Sequence, residues 1–294
     1  MSEFHGSHKS GSYFEGWYFK HQTEGRTIAF IPGVNYDEQE KKSAFIQVIT
    51  DDASGSVPIP FSAFYICRHK LVICAGSQIF SEKGIRIDLN SPEIRCFGTI
   101  KYGAMTPPKS DVMGPFRFVP FMECHHGVIS MRHSLQGSLT INGTQVSFNG
   151  GTGYIEKDWG TSFPKSYLWT QCNHFDDPSC SIMVSIAIIP FCGLHFQGCI
   201  GVVNYQGMEY RMATYNGVQI IRCSETGFVL KQRECVLEAE FFRSGAQNLF
   251  APKTGAMSRI IRESAACRAR FRFYRDNVLL FDFYSEEAGF EYVE

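Results

Sequence analysis

The chain has 294 residues, a formal net charge of -1, 44% hydrophobic residues and 19% charged ones. That composition is globular and excludes global disorder. The neutral balance, with a pI near 6.7, gives no electrostatic ground for binding nucleic acid or an acidic lipid surface. The length suggests about two domains. Aromatic residues reach 14%, dominated by 26 Phe and 13 Tyr, and 27 Gly accompany them. This favours strands and tight turns over helices.

In chain order, residues 1–20 are polar and rich in Gly and Ser, with no apolar core, so no signal or transit peptide is expected there. Ile85, Ile87 and Leu89 alternate with Arg86 and Asp88, which predicts a half-buried strand. Segment 105–120 is broken by prolines and Gly114 and reads as a loop. Leu139 and Ile141, then Val146 and Phe148, flank Asn142-Gly143, a type I′ hairpin signal. The glycine-rich break at 149–153 sets the expected boundary between an N-terminal barrel domain, 1–152, and a C-terminal one, 153–294. The longest apolar run, 182–192, is short of the about 20 residues of a membrane helix and reads as buried strand. Asn216-Gly217 predicts a second hairpin, between 210–215 and 218–223. Leu237, Ala239 and Phe241 alternate with Glu238 and Glu240. Segment 256–267, with Met257, Ile260, Ile261 and Ser264, has the spacing of one short helix. Cys267, Ala269, Phe271 and Phe273 alternate with Arg268, Arg270 and Arg272, read as the solvated face of a strand rather than a basic patch. The 11 cysteines form no CxxC pair. Cys124, Cys180, Cys192, Cys199 and Cys267 lie in apolar stretches, as buried free thiols in a reducing cytoplasm do.

All three tryptophans fall in two stretches. One is Phe14-Glu15-Gly16-Trp17-Tyr18-Phe19-Lys20; the other, 153–175, holds Tyr154, Glu156, Lys157, Asp158, Trp159, Phe163, Trp169, Gln171, Cys172 and Asn173. One reading is structural: tryptophans plug the barrels, and polar neighbours satisfy their indole N–H groups. The other is an aromatic pocket with one or two carboxyl groups. A carboxyl in an apolar pocket stays protonated more readily, and aromatic faces stabilise an adjacent cation. Together these can protonate an alkene and hold the resulting carbocation.

Both stretches resemble motifs of the tocopherol cyclase family. The first looks like the family's opening motif. Tyr154-x-Glu156-Lys157-x-Trp159-Gly160-x-x-Phe163-Pro164, followed by Trp169-x-Gln171-Cys172-Asn173, is similar to its central motif. Segments 208–218 and 249–265 extend the resemblance over both halves. The resemblance implies closure of a chromanol ring from a prenylated hydroquinone: the first prenyl double bond is protonated, and the phenol oxygen attacks the tertiary cation. It implies no cofactor and no metal. It also implies an all-β fold of two tandem lipocalin-like antiparallel β-barrels with little helix, in agreement with the alternation. The chain is shorter than the plant enzymes are expected to be, which bears on the substrate more than on the fold.

Glu156 is the first candidate acid and Asp158 the second, with Glu15 in reserve. On a strand, Glu156 and Asp158 share one face and Lys157 takes the other. Trp17, Tyr18, Lys20, Tyr154, Lys157, Trp159, Phe163, Trp169, Gln171, Asn173 and His126 are the expected substrate-binding residues, and Trp17, Trp159 and Trp169 are expected around one cavity. His125, His126 and His133 fit no common zinc spacing, and adjacent strand residues face opposite ways. Cys172 and His174 could share a face as nucleophile and base, but a buried motif thiol is the simpler reading. Asn142-Gly143-Thr144 is read as a turn, not a glycosylation site. The expected ligand is a hydrophobic prenylated quinol or isoprenoid, with no nucleic-acid partner. The expected location is cytoplasmic, with peripheral membrane contact left open. Two rivals remain open: a lipocalin-like carrier without turnover, and an isoprenoid hydratase or other cyclase on the same scaffold.

Overall fold

A computed structural model describes residues 4–67, 69–119, 122–191, 194–242 and 245–294. Expectations that touch residues 1–3, 120 and 192, Cys192 among them, fall outside the described residues at those positions. Strand makes up 67% of the chain, and among the described residues the only helical elements are short 3-10 turns. The chain divides into two compact units, Met1–Pro107 with Glu123–Phe163 and Gln247–Ile261, and Pro108–Met122 with Pro164–Ala246 and Arg262–Glu294.

The first unit carries a 12-stranded antiparallel sheet. Its order is Ser54–Ile59, Lys42–Thr50, Arg26–Tyr36, Tyr13–Thr23, Thr152–Gly160, Cys124–Ile141, Arg95–Tyr102, Gly84–Asn90, Gln78–Ser81, Val72–Ala75 and Phe64–Ile66, with Thr144–Ser147 beside Cys124–Ile141. Thr152–Gly160 thus inserts between the opening strand and Cys124–Ile141, past the boundary expected after residue 152. Trp17, Phe19, Phe30, Phe80, Ile85, Ile87, Leu89, Phe148 and Ile155 fill this unit's core. The Asn142-Gly143 turn has positive φ at both residues, 49° and 88°, as a type I′ hairpin demands.

A 10-stranded antiparallel sheet makes up most of the second unit; two of its strands, Gln247–Lys253 and the start of Ala256–Arg275, belong to the first unit. Its order is Met208–Ala213, Leu194–Tyr205, Ser181–Phe191, Tyr167–Cys172, Val278–Val293, Ala256–Arg275, Cys235–Phe242, Gly227–Gln232 and Gln219–Ser224, with Gln247–Lys253 beside Ala256–Arg275. Leu168, Cys172, Ile182, Val184, Leu237, Ala239, Cys267, Ala269, Phe271 and Phe273 belong to its core. The arginine stripe is a half-exposed ladder of ion pairs: Arg270 reaches Asp282 at 2.6 Å, and Arg272 reaches Glu238 and Glu240 at 3.0 and 2.8 Å.

Two local expectations fail. Segment 256–267 is strand, part of Ala256–Arg275, and Ile260 is exposed while Ile261 is buried. Pairing of this strand with Gln247–Lys253 and Val278–Val293 overrides the helical spacing of its apolar residues. Asn216-Gly217 closes no hairpin. Only Gly217 has positive φ (84°), and it ends a 3-10 turn at Thr214–Asn216. The flanking strands lie at opposite ends of the sheet order. The Gln232 side chain takes up the freed backbone groups instead, accepting from Ala213 N and donating to Arg211 O.

Candidate active site

Strand register sorts the candidate residues of the first unit onto two faces. Across Tyr13–Thr23 and Thr152–Gly160, Trp17 pairs with Lys157 and Glu15 with Trp159, so these four share the face that carries the core residues Phe19 and Ile155. Tyr18 pairs with Glu156, Lys20 with Tyr154, and His126 with Asp158, so these six share the opposite face. The expected separation of Glu156 and Asp158 from Lys157 is what the strand shows.

On the core face Lys157 Nζ donates to Glu15 at 2.6 Å and lies 5.2 and 4.9 Å from the ring centres of Trp17 and Trp159. The Glu15 carboxylate also accepts from the backbone N–H groups of His5 and Gly6 at 3.0 and 3.1 Å and from the Tyr13 hydroxyl. Burial raises the Glu15 carboxyl, but His5, Lys157 and Tyr13 outweigh it and hold it below the usual carboxylate range. Glu15 is therefore an ionised acceptor. Every donor around it stabilises the charged form. His5 stacks on Trp159 at 4.6 Å, and His125 stacks on the same indole at 5.3 Å. The indole N–H of Trp17 is buried with no hydrogen-bond partner among the described residues, unlike the structural one of the two readings, in which polar neighbours satisfy it.

On the opposite face His126 stands between two carboxylates. Nδ1 lies 2.8 Å from Asp158 Oδ1, and Nε2 lies 3.4 Å from Glu156 Oε2. The Tyr154 hydroxyl donates to Glu156 at 2.5 Å. Burial, then Glu156, pushes the Tyr154 phenol up, so it stays protonated and keeps the proton it donates to Glu156. Exposure falls along this chain, from a 22% exposed Asp158 side chain to a 6% exposed Glu156 and a fully buried Tyr154. The ligand atoms of His126, Glu156 and Asp158 lie within 4.8 Å of one another. Each ring nitrogen faces a different carboxylate: Nδ1 is within hydrogen-bond distance of Asp158, and Nε2 is within ion-pair distance of Glu156. His125 and His126 point to opposite faces, as expected; His133 pairs in register with Gly153, well along the strand. Cys124 Sγ approaches Asp158 at 4.0 Å, and burial, then Asp158, keeps it a thiol.

The remaining candidates lie elsewhere. Phe163 packs edge-on against Phe14 at 5.4 Å within the first unit. Trp169, Gln171 and Asn173 are buried in the second unit, where Trp169 pairs in register with Glu291 and Tyr167 donates to Glu291 at 2.6 Å. Cys172 belongs to that unit's core, in keeping with an inert thiol. Sequence reasoning missed His5 and Tyr13. Tyr13 sits two residues before Glu15 on one strand face and was open to the alternation argument; His5, in a polar segment, carried no signal.

Residues 93–292 match the family model "Tocopherol cyclase-like". The opening motif at 14–20 precedes that stretch. Two curated relatives align over shorter segments. One, from Oryza sativa subsp. japonica ("Probable tocopherol cyclase, chloroplastic"), is 28% identical over 29% of this chain and 18% of its own length. The other, the tocopherol cyclase of Zea mays, is 31% identical over 23% of this chain and 14% of its own length. The alignments thus span under a fifth of these relatives. Kievitone hydratase from Nectria haematococca shares the fold at a TM-score of 0.56 and 13% identity, over 96% of this chain and 89% of its own. An AttH-designated protein of Nitrosomonas europaea does so at 0.53 and 11%, over 95% and 92%. The fold is two tandem lipocalin-like antiparallel barrels, and the chain belongs to the tocopherol cyclase-like family.

Proposed function

We propose that this chain closes a ring on a prenylated hydroquinone by protonating its alkene. The supporting observation is the carboxylate pair: two carboxyl groups on one strand face, with the His126 ring between them. An alkene is a weak base, so the donor must be close, dry and stronger than an imidazolium. Glu156, the more buried carboxyl, is the donor, steadied by the Tyr154 hydroxyl. Its proton goes to the prenyl carbon, a tertiary cation forms, and the phenol oxygen attacks it. The released phenol proton passes to Asp158 and returns to Glu156 through the imidazole, so the cycle consumes no net proton. Lys157 and Glu15, on the other face, hold the strand and its tryptophans in place.

A second reading keeps the acid and changes the nucleophile: water attacks the cation, giving a hydrated isoprenoid. The partly exposed Asp158, positioned to take a proton from water, favours it, and a related fold carries the name of a hydratase. The test is chromatography of a prenylated hydroquinone incubated with wild type, Glu156→Gln, Asp158→Asn and His126→Gln. The reading expects a cyclised product and a roughly 10²–10⁴-fold loss in Glu156→Gln. A hydrated product selects the second reading, and tight binding with no product selects a carrier.

A further inference from the structure

His126 meets a carboxylate at each ring nitrogen, and the two contacts differ in kind. Nδ1 donates to Asp158 Oδ1 at 2.8 Å, a hydrogen bond to its direct register partner that fixes the ring. Nε2 lies 3.4 Å from Oε2 of Glu156, two residues back along the same strand face. That separation is long for a hydrogen bond, but it fits a shared ion. At Zn–N and Zn–O distances of about 2.0–2.1 Å, two ligands at the tetrahedral angle stand about 3.3–3.4 Å apart. The other face of Thr152–Gly160 shows a similar pair around a cation. There His5 Nδ1 and Glu15 Oε1 lie 3.5 Å apart, and the Lys157 ammonium reaches them at 2.9 and 2.6 Å. The Tyr154 hydroxyl holds the Glu156 carboxylate at 2.5 Å. The imidazole and the carboxylate thus each carry an orienting hydrogen bond, as metal ligands do. Both residues are buried, and the 22% exposed Asp158 side chain beside them marks the way in from solvent.

We infer that a zinc-type divalent ion binds between His126 Nε2 and Glu156, with water completing its shell. Asp158 is a positioning residue: it takes the Nδ1 proton, which turns the Nε2 lone pair towards the ion. One imidazole nitrogen with one carboxylate oxygen suits zinc rather than calcium or magnesium, which take shells of oxygen. Cys124 Sγ, 4.0 Å from the Asp158 oxygen that accepts from Nδ1, stands beside the orienting carboxylate and outside the shell. The spacing of histidines along the chain carries no sign of such a site, because the partner of His126 stands across the sheet. The binding rests on the geometry alone. Its consequence rests on the proposed function: an ion on Glu156 takes the place of the proton that this residue gives to the alkene. Zinc is then an inhibitor of the site and no part of its reaction.

The test is binding of zinc and of cobalt(II) to the full chain after dialysis against a chelator. Calorimetry of the wild type is expected to show zinc binding, and zinc should raise its unfolding midpoint. Equimolar cobalt should give the visible absorption of a tetrahedral ion without the charge-transfer band of a thiolate ligand. Asp158→Asn should weaken zinc binding roughly 10–100-fold. His126→Gln and Glu156→Gln, which each remove a ligand, should weaken it by at least as much, and Cys124→Ser should bind as the wild type does. Circular dichroism equal to wild type shows that the variants are folded. A wild type that binds no zinc overturns the inference, as does a thiolate band in its cobalt spectrum. Folded His126 and Glu156 variants that bind like wild type also overturn it. Turnover of a prenylated hydroquinone separates the ion site from the acid. Zinc bound here without inhibition removes Glu156 as the acid and leaves the ion site; turnover by a chain that binds no zinc does the reverse.

Discussion

Lys157 and Glu15 meet at 2.6 Å with side chains 1% and 0% exposed, on neighbouring strands. The pair ties the opening motif to the central one. Removing one partner leaves a buried charge uncompensated, which costs about 3–5 kcal/mol. Glu15→Gln and Lys157→Met should each lower stability to urea by that order, and the double variant should lose less than the sum of the two. Additive losses would show that the two side chains do not act as a pair.

Gly153 sits in register between His21 and His133. A Cβ there would fall 2.2 Å from His133 Nε2, and His133 is 2% exposed with little room to retreat. Gly153→Ala should cost about 1–3 kcal/mol through overpacking, read as a lower urea midpoint at unchanged m-value. A midpoint equal to wild type would mean that the ring moves aside freely.

The same two imidazoles make stability depend on acid. Burial, then His133, lowers His21 to about 3; burial, then Arg132, lowers His133 to about 3. Ser130 Oγ donates to Arg132 O, so His133 Nδ1 supplies the proton in its bond to that hydroxyl, and burial keeps the ring neutral. An unfolded histidine titrates near 6.5. Between that value and the folded one, the unfolded chain binds protons that the folded chain does not, so stability is full above about pH 6.5 and falls as pH drops towards 3. Each ring adds a slope of up to about 1.4 kcal/mol per pH unit. Urea unfolding at pH 7, 6, 5 and 4 should show the decline, and His133→Asn should flatten it by up to that amount. An unchanged slope in the variant would mean that His133 is charged in the fold.

Much of this was legible in the sequence, because strand alternation has a period of two and the register of a buried strand is strongly specified. That rule separates Glu156 and Asp158 from Lys157, and His125 from His126. It does not say which strands become neighbours. The strand Thr152–Gly160 inserts between Tyr13–Thr23 and Cys124–Ile141, which brings His126 between the two carboxylates and Lys157 onto Glu15. Such contacts lie far apart in sequence and leave no local pattern. Turn chemistry was similarly partial: Asn142-Gly143 closed its hairpin, whereas Asn216-Gly217 has the same dipeptide without the positive φ at Asn216 that a type I′ turn needs.

The account stands most directly on the transfer of a proton from Glu156 to an alkene carbon. The measurement is mass spectrometry of the product formed from a prenylated hydroquinone in D2O. The account predicts a cyclised product with one deuterium on the carbon adjacent to the one that bonds the new ring oxygen, formed roughly 10²–10⁴-fold more slowly by Glu156→Gln. A cyclised product without carbon-bound deuterium, or one formed at the wild-type rate by Glu156→Gln, would contradict it.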